Sequence, residues 1–248
     1  MSSHRFYLAP DRWLHERPEL ESADAHHCCD VLRLGTGDTI VVFDGLGRVA
    51  EAELLQVNRK HCSLQIGSPA MTTEPRCTIT LAQAVPKGKN MDLVLQKAVE
   101  LGASSIVPLM TERTVVRLDE ADAERKRERW QQIALESCKQ CGRNTLPSVR
   151  QPCTVEQFLK IRTGGLLLLA SLQPDSKPIK EVLAGYRQAT GELPYNVTVL
   201  IGPEGDFTPT EIAHFKASDA IPVTLGPIIL RTETAALYCL SVLAHELF

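Results

Sequence analysis

Two short apolar runs, residues 197–201 and 221–225, bring the chain to Gly202-Pro203-Glu204-Gly205 and to Gly226. An apolar run of about five residues closed by Gly or Pro reads as a buried strand feeding a tight loop. Glycine lets a ligand approach the main chain, so two such loops expose backbone N–H and C=O groups with few side chains in the way. A third piece, Ile228-Ile229-Leu230, is followed by Arg231-Thr232-Glu233-Thr234-Ala235, setting a cation, an acid and two hydroxyls where a last helix begins. A ligand gripped by backbone, with charged groups beside it, is the chemistry this pattern suits. The run 166–170, ending at Ala170 and followed by Ser171, offers a further wall. Neither a P-loop nor G-x-G-x-x-G spacing is present, which argues against a phosphate or dinucleotide site.

The elements that must position these residues alternate between strand and helix from residue 77 onward. Strands are predicted at 78–84, 105–110 and 166–170, with helices at about 91–101, 119–141, 177–186 and 233–247. In the first of these helices Met91, Val94, Leu95 and Ala98 share one face, with Gly102 as the stop. Thr208-Pro209-x-Glu211 is a capping box with proline at the first helical position, so a helix starts just after the Gly-Pro-Glu-Gly turn. Such alternation implies an α/β domain with a mostly parallel sheet covered on both faces. Residues 1–70 read differently. Strand-like runs at 6–8, 39–43, 49–57 and 61–66, broken by turns such as Asp44-Gly45-Leu46-Gly47, suggest an antiparallel β-barrel, with a short helix at 24–34. Residues 71–76 form a linker, and 77–248 a second domain.

Hydrophobic content of 44% and charged content of 23% are those of an ordinary globular protein. No apolar run approaches the roughly 20 residues that span a bilayer, and the N-terminus lacks a signal-peptide core. Eight scattered cysteines fit a reducing compartment, so a cytoplasmic protein is expected. Cys138-x-x-Cys141 closes a helical pattern without a matching second pair, and His26-His27-Cys28-Cys29 are too contiguous to converge on one ion, so no metal is expected. Net charge is −3, with 7 basic and 10 acidic residues before position 72 and 20 of each after it. Composition alone does not point to nucleic acid; any RNA contact must rest on a local patch.

Ile201-Gly202-Pro203-Glu204-Gly205, Leu225-Gly226 and Ile229-Leu230-Arg231-Thr232-Glu233-Thr234-Ala235 together resemble the signature of the RsmE family. The chain departs from it at Asp206, where the family usually has a second glycine; Asp tolerates a left-handed backbone better than most residues. The resemblance extends over essentially the whole chain. It implies a trefoil-knotted SPOUT methyltransferase domain behind a PUA-like RNA-binding barrel, whose motif falls at His26-His27…Val31-Leu32-Arg33. It further implies S-adenosylmethionine as methyl donor, N3 of a uridine in 16S ribosomal RNA of the small subunit as acceptor, and a homodimer.

An adenine needs an apolar slot with backbone donors and acceptors at its edge. Under this resemblance Ala170, Ser171, Ile201, Gly202, Pro203, Glu204, Gly205, Leu225, Gly226, Ile229, Leu230, Thr232, Thr234 and Ala235 are the expected cofactor-binding residues. Transfer from sulfur to nitrogen is an in-line displacement, so catalysis is positioning plus readying the nucleophile. Uracil N3 is a poor nucleophile until its proton leaves. Arg231 is expected to stabilise the uridine's negative charge, with Glu233 orienting Arg231 or taking the proton; an ion pair at a helix start is the plain structural reading of the two. N3 lies on the Watson–Crick edge, so the target must be unpaired or flipped. Arg5, Arg33, Lys87, Lys97 and Arg143 are the expected RNA-binding residues, with Lys89, Arg113 and Lys139 as further cations. A ribose 2′-oxygen methyltransferase and a non-catalytic RNA-binding protein are the rival readings; intact Gly202, Gly205, Gly226 and Arg231 weigh against the second.

Overall fold

The structure, a computed structural model, describes residues 4–15 and 17–248; the opening Met-Ser-Ser of the sequence lies outside them. The chain forms two compact units, one of residues 1–74 with 135–146 and one of residues 75–134 with 147–248.

The first unit is a six-stranded mixed sheet. Its strands are β1 (Arg5–Tyr7), β2 (Glu19–Glu21), β3 (Thr39–Phe43), β4 (Arg48–Val57), β5 (His61–Ile66) and β6 (Ala70–Met71), in the order β1-β3-β4-β5-β2 with β6 against β4. Asp44 makes the β3–β4 turn: its Oδ1 accepts from the N–H groups of Leu46 (2.8 Å) and Arg48 (3.0 Å). That is the side-chain mimicry that places Asp in turns. Pairing is antiparallel except between β1 and β3, which run parallel. Strands separated by a long crossover can pair parallel, and here the crossover carries β2, α1 (Ser22–His26) and a π-helical turn (His27–Val31). The sequence expects one helix at 24–34 and no π turn. Phe6, Leu8, Ile40, Val42, Leu54 and Leu64 fill the core, each worth roughly 1.5–3 kcal/mol of burial.

The second unit is an eight-stranded sheet with every pairing parallel. Its strands are β7 (Thr78–Ala84), β8 (Ser105–Met110), β9 (Ser148–Val149), β10 (Cys153–Thr154), β11 (Leu166–Ala170), β12 (Lys177–Pro178), β13 (Asn196–Ile201) and β14 (Ile221–Thr224). The order is β10-β8-β7-β13-β11-β14-β12, with β9 beside β8. Helices α2 (Asn90–Glu100), α3 (Glu120–Cys141), α4 (Val155–Ile161), α5 (Ile179–Thr190), α6 (Pro209–Ala217) and α7 (Thr232–Leu247) complete the chain, the last turns of α3 grouping with the first unit. The central strands are buried nearly throughout, as a sheet covered on both faces requires. The capping box at α6 is formed: Glu211 N–H donates to Thr208 Oγ1 (3.3 Å) and Thr208 N–H to Glu211 Oε2 (2.8 Å). Glu211 is almost fully buried because its other oxygen accepts from Glu112 N–H at 2.9 Å, holding the loop after β8. Cys138 is buried and Cys141 exposed on α3, and no group of three potential metal ligands occurs among the described residues. None of the described helices is long and apolar enough to cross a membrane.

Candidate active site

β13, β11 and β14 are neighbours in the sheet and all run the same way. Their C-terminal ends, Ile201, Ala170 and Thr224, therefore deliver their loops to one edge. That edge of an open parallel sheet is where ligands bind. The loops and the start of α7 enclose a cavity of about 480 Å³, within the range of small-molecule sites. Of the residues expected at such a site, Ala170, Ser171, Ile201, Gly202, Pro203, Glu204, Leu225, Gly226, Ile229, Leu230, Arg231, Thr232, Glu233 and Ala235 line it.

Gly205 and Thr234 do not line the cavity. The Gly205 carbonyl is taken by Arg113, whose Nη1 donates to it at 2.6 Å. Thr234 stands exposed on the first turn of α7, because the helical period turns Thr232, Ala235 and Ala236 inward and carries position 234 outward. Asn90, Leu172, Asp206 and Ile228 also line the cavity; Asp206 and Ile228 lie within the stretches read as loops of the site, but none of the four is among the residues expected to bind. Leu172 and Ile228 adjoin chosen residues in the chain; Asn90 carried no local signal at all.

A buried relay holds the site together. Gln83, wholly buried on β7, donates through Nε2 to Ala84 O and to Thr232 Oγ1, both at 2.9 Å. The Thr232 hydroxyl donates in turn to the Gly202 carbonyl at 2.7 Å. One hydroxyl thus pins the first residue of α7 to the loop after β13. The signal for Gln83 was present: it is the amide in the otherwise apolar stretch Leu81-Ala82-Gln83-Ala84-Val85. Close approach explains Gly202 itself, since a Cβ there would lie 3.2 Å from the Phe207 ring. Gly226 has φ of +113°, a region L side chains rarely enter. Asp206 also adopts a left-handed backbone, with φ of +61°, and its Oδ1 accepts from Phe207 N–H at 2.7 Å.

Arg231, the N-cap of α7, is exposed; Glu233 in its first turn is half-buried. The plain reading of these two as an ion pair does not hold: neither side chain has a hydrogen-bond or ion-pair partner among the described residues. Glu204, although exposed, accepts from Lys87 N–H at 3.0 Å and so fixes the Lys87-Gly88-Lys89 loop at the cavity's rim.

The remaining cations differ in availability. Lys87 and Lys89 are exposed. Lys97 is paired with Glu100, both oxygens at 2.8 Å. In the first unit Arg33 is exposed, at φ of +55° just past the π turn. Arg5 is half-buried over the Phe43 ring, and its Nη2 donates to Asn144 Oδ1 at 2.5 Å. Burial pushes both Arg5 and Arg143 below the ordinary guanidinium value. Lys139 is held by Asp24 and Glu136.

A parallel α/β unit whose strand ends and last helix frame such a cavity is the architecture of a small-molecule-binding domain. Residues 73–244 match the model of the RNA methyltransferase domain, and residues 20–67 that of the RNA methyltransferase PUA domain. The ribosomal RNA small subunit methyltransferase E of Bacillus subtilis is 33% identical over 226 residues, 90% of this chain and 88% of that relative. The namesake from Synechocystis is 34% identical over 94% of this chain and 74% of its own length. Among solved structures, the Neisseria gonorrhoeae methyltransferase E bound to S-adenosyl methionine superposes with a TM-score of 0.84 at 32% identity, covering 97% of this chain and 96% of that one. The chain belongs to the RNA methyltransferase family that includes the ribosomal RNA small subunit methyltransferase E proteins.

Proposed function

We propose that this protein transfers a methyl group from S-adenosylmethionine to N3 of one uridine in the 16S RNA of the small ribosomal subunit, in the cytoplasm, as a step of ribosome maturation. The observation that carries the reading is the cavity at the ends of β11, β13 and β14, with unpaired Arg231 and Glu233 beside it. The residues present fit the donor. Gly202 leaves a cradle that a Cβ would crowd, Ile201, Leu225, Ile229 and Leu230 supply an apolar slot, and the loop main chain supplies polar edges. When bound, the donor supplies a methyl carbon made electrophilic by its sulfonium.

Arg231 then places a guanidinium where a deprotonated uracil needs charge stabilisation. Glu233, unpaired at the helix start and without a contact to Arg231, accepts the N3 proton. Glu204, by holding Lys87 N–H, sets Lys87 and Lys89 at the rim, where phosphates flanking a flipped nucleotide would pass. Residues 1–70 serve as the RNA-binding barrel and 77–248 as the catalytic domain, joined by 71–76. Of the proposed RNA contacts, Lys87 and Arg33 are exposed cations, while Lys97, Arg5 and Arg143 act from partnered or half-buried positions. The reading includes the knotted threading and the homodimer that the sequence resemblance implies. Exposed Leu172, Ile228 and Ile229 at the cavity and Tyr238 and Phe248 at α7 support a partner surface in the second unit.

The test is methyl transfer from labelled S-adenosylmethionine to small subunits lacking this modification, with naked 16S RNA in parallel. Label appearing as 3-methyluridine at one site is the expected result. Cofactor binding without label on either RNA overturns the assigned substrate, and label on a ribose oxygen overturns the assigned atom.

A further inference from the structure

Three described non-glycine residues have positive φ: Arg33, Asp206 and Asp219. Of these, Asp206 lines the cavity. Strained backbone of this kind persists where the surroundings hold it, and it gathers at sites of function. Here the fixing contacts are on the page. Asp206 N–H donates to Pro203 O at 2.9 Å, closing the turn. Its Oδ1 accepts from Phe207 N–H at 2.7 Å and lies 3.3 Å from where a Cβ on Gly202 would stand. The carboxylate is thus held against the loop by one oxygen. Its Oδ2 has no partner among the described residues, and Asp206 forms no ion pair there.

Charge around the cavity gives that oxygen a purpose. The lining carries three carboxylates, Glu204, Asp206 and Glu233, and one cation, Arg231. Glu204 is engaged by Lys87 N–H. Glu233 stands in the first turn of α7, beside the group proposed to meet the acceptor. Arg113 directs Nη1 to the Gly205 and Phe207 carbonyls, at 2.6 and 3.5 Å. Asp206 is left as a fixed, uncompensated negative charge on a cavity whose proposed ligand is cationic.

We propose that the Asp206 carboxylate is the counter-ion for the cationic methionine portion of the methyl donor. The inference rests on the reading of the cavity as an S-adenosylmethionine site. Two positive groups lie in that portion, the sulfonium and the α-ammonium, and they differ in fate. Transfer breaks the carbon–sulfur bond and leaves its electron pair on sulfur, while a new bond forms from N3, so the sulfonium charge exists before transfer and not after. The ammonium charge persists in S-adenosylhomocysteine. A carboxylate facing the sulfonium therefore holds donor more tightly than product and favours product release; one facing the ammonium holds both alike.

Calorimetric titration of the full chain with S-adenosylmethionine and S-adenosylhomocysteine tests this. Asp206→Asn keeps a side-chain oxygen for Phe207 N–H and a residue tolerant of left-handed φ, so it removes the charge alone. Asp206→Gly keeps the turn without any side chain and stands in if the Asn variant does not fold. The expected result is a loss of donor affinity of roughly tenfold. Product affinity unchanged assigns the sulfonium; an equal loss of product affinity assigns the ammonium. Donor and product both bound as tightly as by the parent overturns the inference while leaving the site reading intact. A parent chain that binds neither overturns both.

Discussion

The two units use their sheets in opposite ways. In the first, hairpins send successive turns to opposite ends of a mixed sheet, and the exposed cation Arg33 sits on a loop after a π turn rather than in a pocket. In the second, every strand pairs parallel, so the loops after β11, β13 and β14 leave from one edge and build an enclosure. Strand direction alone makes the one unit a surface and the other a vessel. A small molecule is enclosed by the vessel, whereas a folded RNA needs an outer face with charge on it.

The division can be broken most sharply at Arg231. Arg231→Ala is expected to lower the transfer rate roughly a hundredfold or more, with donor affinity little changed, because the lost interaction belongs to the charge developing on the base. Rate and titration measured on the same preparation check it, and a normal rate removes Arg231 from the chemistry. Next comes the relay that closes the vessel. Thr232→Val leaves the Gly202 carbonyl without its donor and Gln83 Nε2 without one acceptor. A loss of about 1–3 kcal/mol of stability is expected, read from urea unfolding, together with weaker donor binding. Stability and binding both at parental values would mean the loop is held by other means.

Arg33→Ala probes the surface instead. RNA binding should weaken and the slope of log K against log salt fall by about one, while donor titration stays unchanged. An unaltered slope would take Arg33 off the RNA. A further effect is one the two units share. Burial pushes the thiols of Cys28 and Cys138 in the first unit and Cys239 in the second from 9.0 up to about 12, and those of Cys77 and Cys153 to about 11. A raised thiol pKa favours the protonated form in the folded chain. Its contribution is complete below pH 9 and drains away as pH rises toward 11 to 12. Unfolding midpoints measured from pH 8 to 11 should therefore fall on the alkaline side, in melts of the full chain; a flat profile would mean those thiols are not protected by burial.

Much of this was legible in the chain. The strands at 39–43, 61–66, 78–84, 105–110 and 166–170 appear where apolar runs between turn residues put them. The Thr208–Glu211 cap formed because its donors and acceptors are three residues apart. β9, β10 and β12, at two residues each, are too short to show a period, and β12 falls where the sequence suggests helix. The parallel pairing of β1 with β3 was equally hidden, as it joins residues more than thirty positions apart. At the site, glycines and charges marked the loops, but Thr234 carries the same side chain as Thr232 and only helix phase separates exposed from buried.

By itself, then, the sequence determined the local events: which runs become strands, where glycine opens a turn, and which residues can act on a proton. The tertiary structure decided that β11 lies between β13 and β14, that Gln83 meets a threonine 149 positions away, and that Asp206 faces the cavity. Strand order follows from burying both faces of one sheet across long crossovers, and that is a property of the whole chain which no local periodicity carries.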